Sequence, residues 1–423
     1  RQLLYVSGVI GYYLDMPIFQ HLFMNTSYLI INVGSTSIKT HLFAADLHSI
    51  ASLNAEYSAE SGLVIDGVDG QGQPVKQQTP ESHDAKAALT VLLRQWQQWL
   101  SRDKVTVSAI GHRIVHGGDY FARITRLNPQ VLAQIEQLDS YAPLHNPLNR
   151  LGVAMAEQAF PGTPQFAVFD TAFHRHIPEH AGRYAIPENL SAQIRFYRYG
   201  FHGISCQHSV AAVAQILAVT PENLNLIILH LGGGASVSAV QAGISVDTSM
   251  GFSPAEGLLM ASRCGDIDPM IAITLQRQGM SVEQLDKLLN KQSGLQGICA
   301  DTDMRRIMHR AEQGDAKAEL AVEMFCYRIK KYIGAYCAVL GDISALIFTG
   351  GIGENAPLIR QKILQDLGRL GFAMDATINQ LHCDQYLDIS ASRSQARVLV
   401  IHAQEEREIA RQIHGIFEIN PHS

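Results

Sequence analysis

No two cysteines of this chain form a CxxC pair; the six (Cys206, Cys264, Cys299, Cys326, Cys337 and Cys383) are scattered singly. That spacing argues against a zinc site or a disulfide framework and fits a reducing compartment, so a cytoplasmic location is expected. Dense Lys/Arg runs are also missing, and the formal net charge is −6 with both signs interspersed. Nucleic acid and membrane are therefore not expected as partners. No apolar run is long enough to span a bilayer. A GxxxxGK[ST] phosphate loop is absent, and so is a GxSxG nucleophile elbow, which sets aside an esterase despite the string HLGGG.

What is present is a globular composition, 47% apolar and 17% charged over 423 residues, too long for one ordinary core. Two domains are expected. Residues 1–24 are apolar and aromatic, interrupted by Asp15 and Pro17, without a positive n-region or a small-residue cleavage site. They read as an extension of unknown role rather than a signal peptide, with Met24 a candidate start.

From Tyr28 onward strands and helices alternate. YLIINV and IKTHLF read as a strand and its hairpin partner, 85–100 as a helix, VSAIGHRIV as a strand. NPQVLAQIEQL and NRLGVAMAEQAF are helical, and QFAVF is a strand ending at Asp170. The second half restarts with NLIILHL, a glycine turn and an antiparallel VSAV; helices fill 269–340. SALIFTG is a strand, APLIRQKILQDLGRL a helix, and RVLVI a last strand before a closing helix. Strand, small-residue loop and strand thus occur twice, which points to two related α/β halves.

Three loops consist of residues small enough for backbone N–H groups to approach an anion: NVGSTSIK (32–39), HLGGGAS (230–236) and TGGIGEN (349–355). Each alone could be a tight turn; three at strand ends point to phosphate. TGGIGENA also imitates a dinucleotide fingerprint, which keeps an NAD-dependent dehydrogenase as a rival. Its acidic partner should end a second parallel strand, yet Asp375 follows only GFAM.

Charged residues gather beside these loops: His112, Arg113 and His116 in GHRIVHGG, His145 in APLHNP, Asp170 and His174 in VFDTAFH. His202 follows in YGFHG, then Arg263, Asp266 and Asp268 in SRCGDIDP. Bland roles exist for each, a salt bridge for Arg263 or a turn cap for Asp170. Together they offer the arginines and histidine that hold an anionic acceptor and a polyanionic donor in phosphoryl transfer.

These strings, with DTSMGFSPAEGL and FTGGIGEN, resemble the acetate and propionate kinase family of the actin and sugar-kinase superfamily, from about Tyr28 to the final helix. The resemblance implies an α/β fold of two ribonuclease-H-like domains around a central cleft, 25–172 with 405–423 and 173–404, and a homodimer. It implies reversible transfer of the ATP γ-phosphoryl to acetate, with ATP/ADP and Mg²⁺ (Mn²⁺ as a substitute) as cofactors. Asn32 and Glu405 would place the metal, and Lys39 would bind phosphate. Arg113 would hold the substrate carboxylate, with His145 nearby. Asp170, His202 and Arg263 would be catalytic. The phosphate cradle would be His230, Leu231, Gly232, Gly233 and Gly234. Asp303, Met304 and Arg305, with Gly351, Ile352, Gly353, Glu354 and Asn355, would hold the adenosine end. Val115, Leu144, Phe201 and Pro254 would form the methyl pocket; Val115, where propionate kinases tend to carry Ala, favours acetate. A propionate or other short-chain carboxylate kinase is the alternative.

Departures are Gly233, where the family usually has Asn, and FHGISC, where Cys206 replaces a His expected near the cleft. They motivate a further alternative, a catalytically weakened member that binds or regulates. A carboxylate substrate is already ionised at neutral pH, so Asp170 is read as orienting Mg²⁺-bound water and Arg113 rather than removing a proton.

Overall fold

β1 (Ser27–Val33) is buried at every residue, as befits a central strand covered on both faces. The computed structural model describes residues 26–58, 62–79, 84–187, 190–191 and 194–419; the 1–24 extension lies outside them. β1 pairs antiparallel with β2 (Ser37–Ala44) and parallel with β6 (Val107–Ile114). β3 (Ser49–Ser58), β4 (Gly62–Val68) and β5 (Pro74–Thr79) extend one side, and β8 (Gln165–Phe169) and the short β7 (Thr125–Arg126) the other.

The helix Ala85–Asp103 is started by Asp84, whose side chain accepts from the Ala87 N–H. Its Leu89, Leu92 and Trp96 join Leu29, Ile31 and Leu53 in one core, and Trp96 Nε1 donates to Thr40 Oγ1 at 2.8 Å. The closing helix Glu405–Ile419 lies on β1 and β6. There Gly111 has no side chain because a Cβ would sit 2.6 Å from Ile409 Cγ2.

A second sheet holds β9 (Leu226–Leu231), β10 (Ala235–Gln241), β11 (Ile244–Thr248), β12 (Ala345–Thr349), β13 (Tyr386–Asp388) and β14 (Arg397–Ile401). Its order, β11-β10-β9-β12-β14-β13, repeats the β3-β2-β1-β6-β8 series of the first sheet, antiparallel on one side of the leading strand and parallel on the other. This is the ribonuclease-H-like arrangement in each half. The chain divides into two compact units, one running to Phe169 and resuming at Glu405, the other Asp170–Gln404.

Two features differ from the sequence reading. β3, β4 and β5 were not anticipated, because β4 and β5 alternate weakly and β5 is largely exposed. The helix read over 356–370 is cut: Pro357–Leu364 is helical, then Asp366 turns left-handed (φ 68°) and Leu367–Leu370 is a 3₁₀ turn that buries Leu367. Among the described residues no helix is long and apolar enough to cross a membrane.

Candidate active site

In the first unit, the antiparallel register sets Asn32 at the end of β1 opposite the exposed Lys39 of β2. Asn32 is 7% exposed. Its Oδ1 accepts from Arg113 Nη1 at 3.2 Å, and its Nδ2 donates to Glu406 Oε1 at 3.0 Å. Arg113 Nε lies 4.0 Å from Glu405 Oε2. The end of β1, the end of β6 and the acidic first turn of the closing helix therefore meet. Two carboxylates there also suit the positive end of the helix dipole.

Among the described residues no three His, Cys, Asp or Glu gather as a metal cage. Mg²⁺ does not require one, since it takes one or two protein carboxylates and fills its shell with water and phosphate oxygens. The Asn32 amide oxygen and the Glu405 and Glu406 carboxylates are hard oxygen donors of that kind. The residues fit.

Asn149 ties this end together, accepting from the Val115 N–H at 3.0 Å and donating to the Val33 carbonyl at 2.8 Å. Asn146 likewise exchanges hydrogen bonds with the His116 backbone at 3.0 and 3.1 Å. Both lie on the helix Asn146–Ala159, whose N-cap position is His145, so Val115 and His145 are held by one element. Val115 is buried, whereas Leu144 is 46% exposed. His112 and His116 prove to be interior groups: burial lowers their pKa to about 4 and about 3, and His112 bonds Gln165 at 2.6 Å.

In the second unit the Gly232–Gly234 loop joins β9 to β10, with the Gly232 N–H donating to the Gly234 carbonyl at 3.0 Å. The rings of His202 and His230 stack with centroids 4.1 Å apart. Each is pinned through Nδ1, His202 to Ser236 Oγ at 3.0 Å and His230 to Ser205 Oγ at 2.8 Å. A Cβ on Gly234 would lie 3.3 Å from His202 Nε2 and 3.5 Å from Arg263 Nη1, so the loop, the imidazole and the guanidinium face one spot.

His202 adopts φ 59°, a left-handed conformation costly for a residue other than glycine. It opens the helix Gly203–Leu217, and the Gly203 N–H donates to the carbonyl of buried Asp170 at 2.9 Å. His174 Nε2 meets the Phe201 carbonyl at 3.0 Å and its Nδ1 meets Ser245 Oγ at 2.8 Å; burial lowers its pKa to about 4.

Arg263 is not salt-bridged to the aspartates that follow it. Asp266 accepts from the Gly257 N–H (2.8 Å), Arg328 (3.1 Å) and Tyr332 (2.8 Å), and Asp268 caps the helix Pro269–Arg277. Arg263 donates instead to the Pro254 carbonyl at 3.4 Å, with Met260 Sδ at 3.8 Å. Burial pulls its pKa below the usual arginine value. A partly desolvated guanidinium with no carboxylate partner among the described residues is expensive to keep, and the arrangement suits an arriving anion.

The third loop lies beside the second because β12 and β9 are parallel neighbours, Thr349 opposite His230. Gly350 (φ 77°) has backbone of Leu231 2.8 Å from where its Cβ would be, so the loops touch. Asn355 donates to the Gly351 carbonyl at 3.0 Å, and Glu354 accepts from the Ala403 N–H at 2.9 Å. Buried Arg360, which sequence reasoning passed over, donates to the carbonyls of Gly353 (2.9 Å) and Glu354 (2.7 Å). Asp303 caps the helix Met304–Glu312 and pairs with the exposed Arg305; Met304 is buried.

The Acetokinase family model matches residues 27–411. The chain belongs to the Acetokinase family. It is 44% identical to the acetate kinase of Sulfurovum sp. (strain NBC37-1) over 91% of this chain and 97% of that protein. Among solved structures it is similar to a propionate kinase from Francisella tularensis (TM-score 0.84, 37% identity, 92% of this chain and 98% of that one). It is also similar to Porphyromonas gingivalis acetate kinase (TM-score 0.82, 34% identity, 93% and 100%). These neighbours carry the two actin- and sugar-kinase-like domains that the repeated strand order reflects.

Within the family frame the dinucleotide reading of TGGIGENA falls: Gly350–Asn355 is a short helix ended at Ala356, and Asp375 ends no strand. The Cys206 departure is a core exchange, for Cys206 is fully buried with Val210, Leu226 and Ile347, and its Sγ lies 3.6 Å from Ser238 Oγ. A Cβ on Gly233 would meet nothing within 4 Å. Glu406, Asn146, Asn149, Ser205 and Ser236 have no role of their own in the sequence reading, although Asn146 lies in APLHNP and Ser236 closes HLGGGAS. The paired asparagines of HNPLN, three apart on a helix start, were the available signal, as was the place of Ser236 in the HLGGGAS loop; Ser205 carried none.

Proposed function

We propose that this enzyme transfers the γ-phosphoryl of ATP reversibly to acetate, giving acetyl phosphate and ADP. The observation that carries this reading is Arg263: half-buried, without a carboxylate partner among the described residues, and facing the same spot as His202 Nε2 and the Gly234 loop. In the proposed step an acetate oxygen forms the new P–O bond as the bond from Pγ to the bridging oxygen of ADP breaks in line. Acetate is ionised at neutral pH, so no proton need be removed. Arg263 and His202 meet the charge on the equatorial oxygens, and backbone N–H groups of the His230, Leu231, Gly232, Gly233 and Gly234 loop hold the phosphates. In the first unit Arg113 is the residue for the acetate carboxylate, with Val115, Leu144 and His145 as substrate residues and Lys39 for phosphate. In the second unit Phe201 and Pro254 are the residues for the methyl group, and Asp170 orients.

Asn32 and Glu405, with Glu406, would hold Mg²⁺ carried by the nucleotide. Bound there, the ion neutralises charge developing on the phosphate oxygens. Asp303, Met304 and Arg305, with Gly351 to Asn355, hold the adenosine end. The free cysteines support a reducing, cytoplasmic setting. Exposed apolar side chains support a homodimer: Met270, Ile271 and Ile273 on one helix, and Leu320, Met324 and Tyr327 on the helix Ala316–Leu340. Propionate is the second reading, favoured by the likeness to a propionate kinase at 37% identity.

The test is formation of acyl hydroxamate from ATP, Mg²⁺, hydroxylamine and acetate, propionate or butyrate in parallel. Acetate should give the highest kcat/KM. Preference for propionate would move the assignment to the second reading, and absence of turnover with every acid would support the weakened, binding-protein alternative.

A further inference from the structure

The segment 248–256, which carries Pro254, leaves the sheet after Thr248, the last residue of β11. From there side chains supply much of what holds it, beside backbone bonds from the Ser249 N–H to the Val237 carbonyl and from the Tyr199 and Gly200 N–H groups to the Gly251 carbonyl. Arg198 Nη2 donates to Glu256 Oε1 at 2.7 Å, and its Nη1 donates to the Thr248 carbonyl at 3.0 Å, with those of Ser249 and Met250 each at 3.4 Å. The Arg198 Nε lies 3.7 Å from Asp247 Oδ1. Tyr184 donates its hydroxyl to the other Glu256 oxygen and accepts from the Phe252 N–H at 2.7 Å. The carboxylate and phenol occupy the space beside Gly251, where a Cβ would stand 1.6 Å from Glu256 Oε2 and 2.0 Å from the Tyr184 hydroxyl.

From this knot the chain runs directly to Pro254, whose carbonyl accepts from Arg263. A half-buried ion pair of this kind is a poor source of stability compared with apolar packing of the same volume. What it supplies here is a fixed backbone path, because a guanidinium fork and a carboxylate engage in few geometries. Burial and the neighbouring carboxylate hold the Tyr184 phenol well above its ordinary pKa, so it stays a donor.

We infer that Arg198, Tyr184 and Glu256 are positioning residues that set Pro254 and, through its carbonyl, Arg263, and thereby tune acid chain length. This rests on the acetate kinase reading above. Tyr184→Phe removes only the hydroxyl that joins Phe252 to Glu256. It should raise the acetate KM about tenfold and shift the propionate-to-acetate kcat/KM ratio, with the ATP KM moving by less than about twofold. Arg198→Lys, which keeps the charge but loses the fork, should shift the same ratio in the same direction.

Hydrogen exchange at the Phe252 amide provides a readout independent of turnover. It should be about tenfold faster in Tyr184→Phe than in the parent. If Tyr184→Phe lowers Tm but leaves both the acid ratio and the Phe252 exchange rate at parental values, the knot only stabilises the fold and the inference is overturned. A parent protein without acetate turnover would count against the functional reading, and Phe252 exchange would still decide whether the knot holds the segment. Failure of Arg198→Lys to fold leaves the decision to Tyr184→Phe, which removes a single hydroxyl.

Discussion

Strands β1 and β9 hold the same place in the two sheets, yet their ends carry opposite chemistry. At the end of β1, Asn32 lies among Arg113, Glu405 and Glu406, an oxygen-rich cluster in which an arginine is already engaged. At the end of β9, glycines leave backbone exposed beside two stacked imidazoles and an arginine that no carboxylate among the described residues engages. One end suits a cation and the other suits an anion. The duplicated topology therefore supplies a common place for a loop, and a few side chains decide which half of a metal–phosphate pair each loop would take.

Removing the cation of the β9 end gives the largest expected effect. Arg263→Ala should lower kcat by about 100-fold or more with the ATP KM changed little, since a preorganised charge stabiliser is lost. Arg263→Lys should recover only part of that. Parental kcat in the alanine variant at saturating substrates would show that Arg263 serves the fold.

At the β1 end the expected signature is dependence on metal. Glu405→Ala should raise the Mg²⁺ concentration needed for half-maximal rate by about tenfold or more, whereas Arg263→Ala should leave it near the parental value. Excess chelator should abolish turnover in the parent. Equal Mg²⁺ dependence in both variants would remove the distinction between the two ends.

Val115→Ala sharpens the comparison on the acyl side. Loss of two methyls should raise the propionate-to-acetate kcat/KM ratio by roughly tenfold, the worth of about one methylene in an apolar pocket. Because Val115 is only 7% exposed, the variant should also lose about 1 kcal/mol of stability, measured by denaturant midpoint. A stability loss with an unchanged ratio would make Val115 plain core.

The smallest effect is expected at Gly233. Open space surrounds it and its φ is not positive, so Gly233→Asn should fold at parental Tm and alter kcat/KM for ATP by no more than about threefold. A larger gain would show that the missing amide costs this enzyme a phosphate contact.

Much of the fold was legible because β1, β9 and β12 are continuous apolar runs ending in glycine or small residues, a local signal that needs no partner. β4 and β5 were not, since strands that are half exposed acquire their identity from pairing with a neighbour. The break at Asp366 was missed because a helical period runs straight through it; burial of Leu367 overrides the local preference.

In the site, the sequence alone determined which residue types stand at the strand ends, and hence the phosphoryl-transfer reading, because motif and strand end are adjacent in the chain. It left Arg263 open between a salt bridge and an anion site. Only the tertiary structure shows that the two aspartates are taken: Arg328 and Tyr332, on the helix Ala316–Leu340, engage Asp266, and Asp268 turns to cap its own helix. A charge a few residues away in sequence is a candidate partner, but whether it is used depends on competitors that arrive from far along the chain.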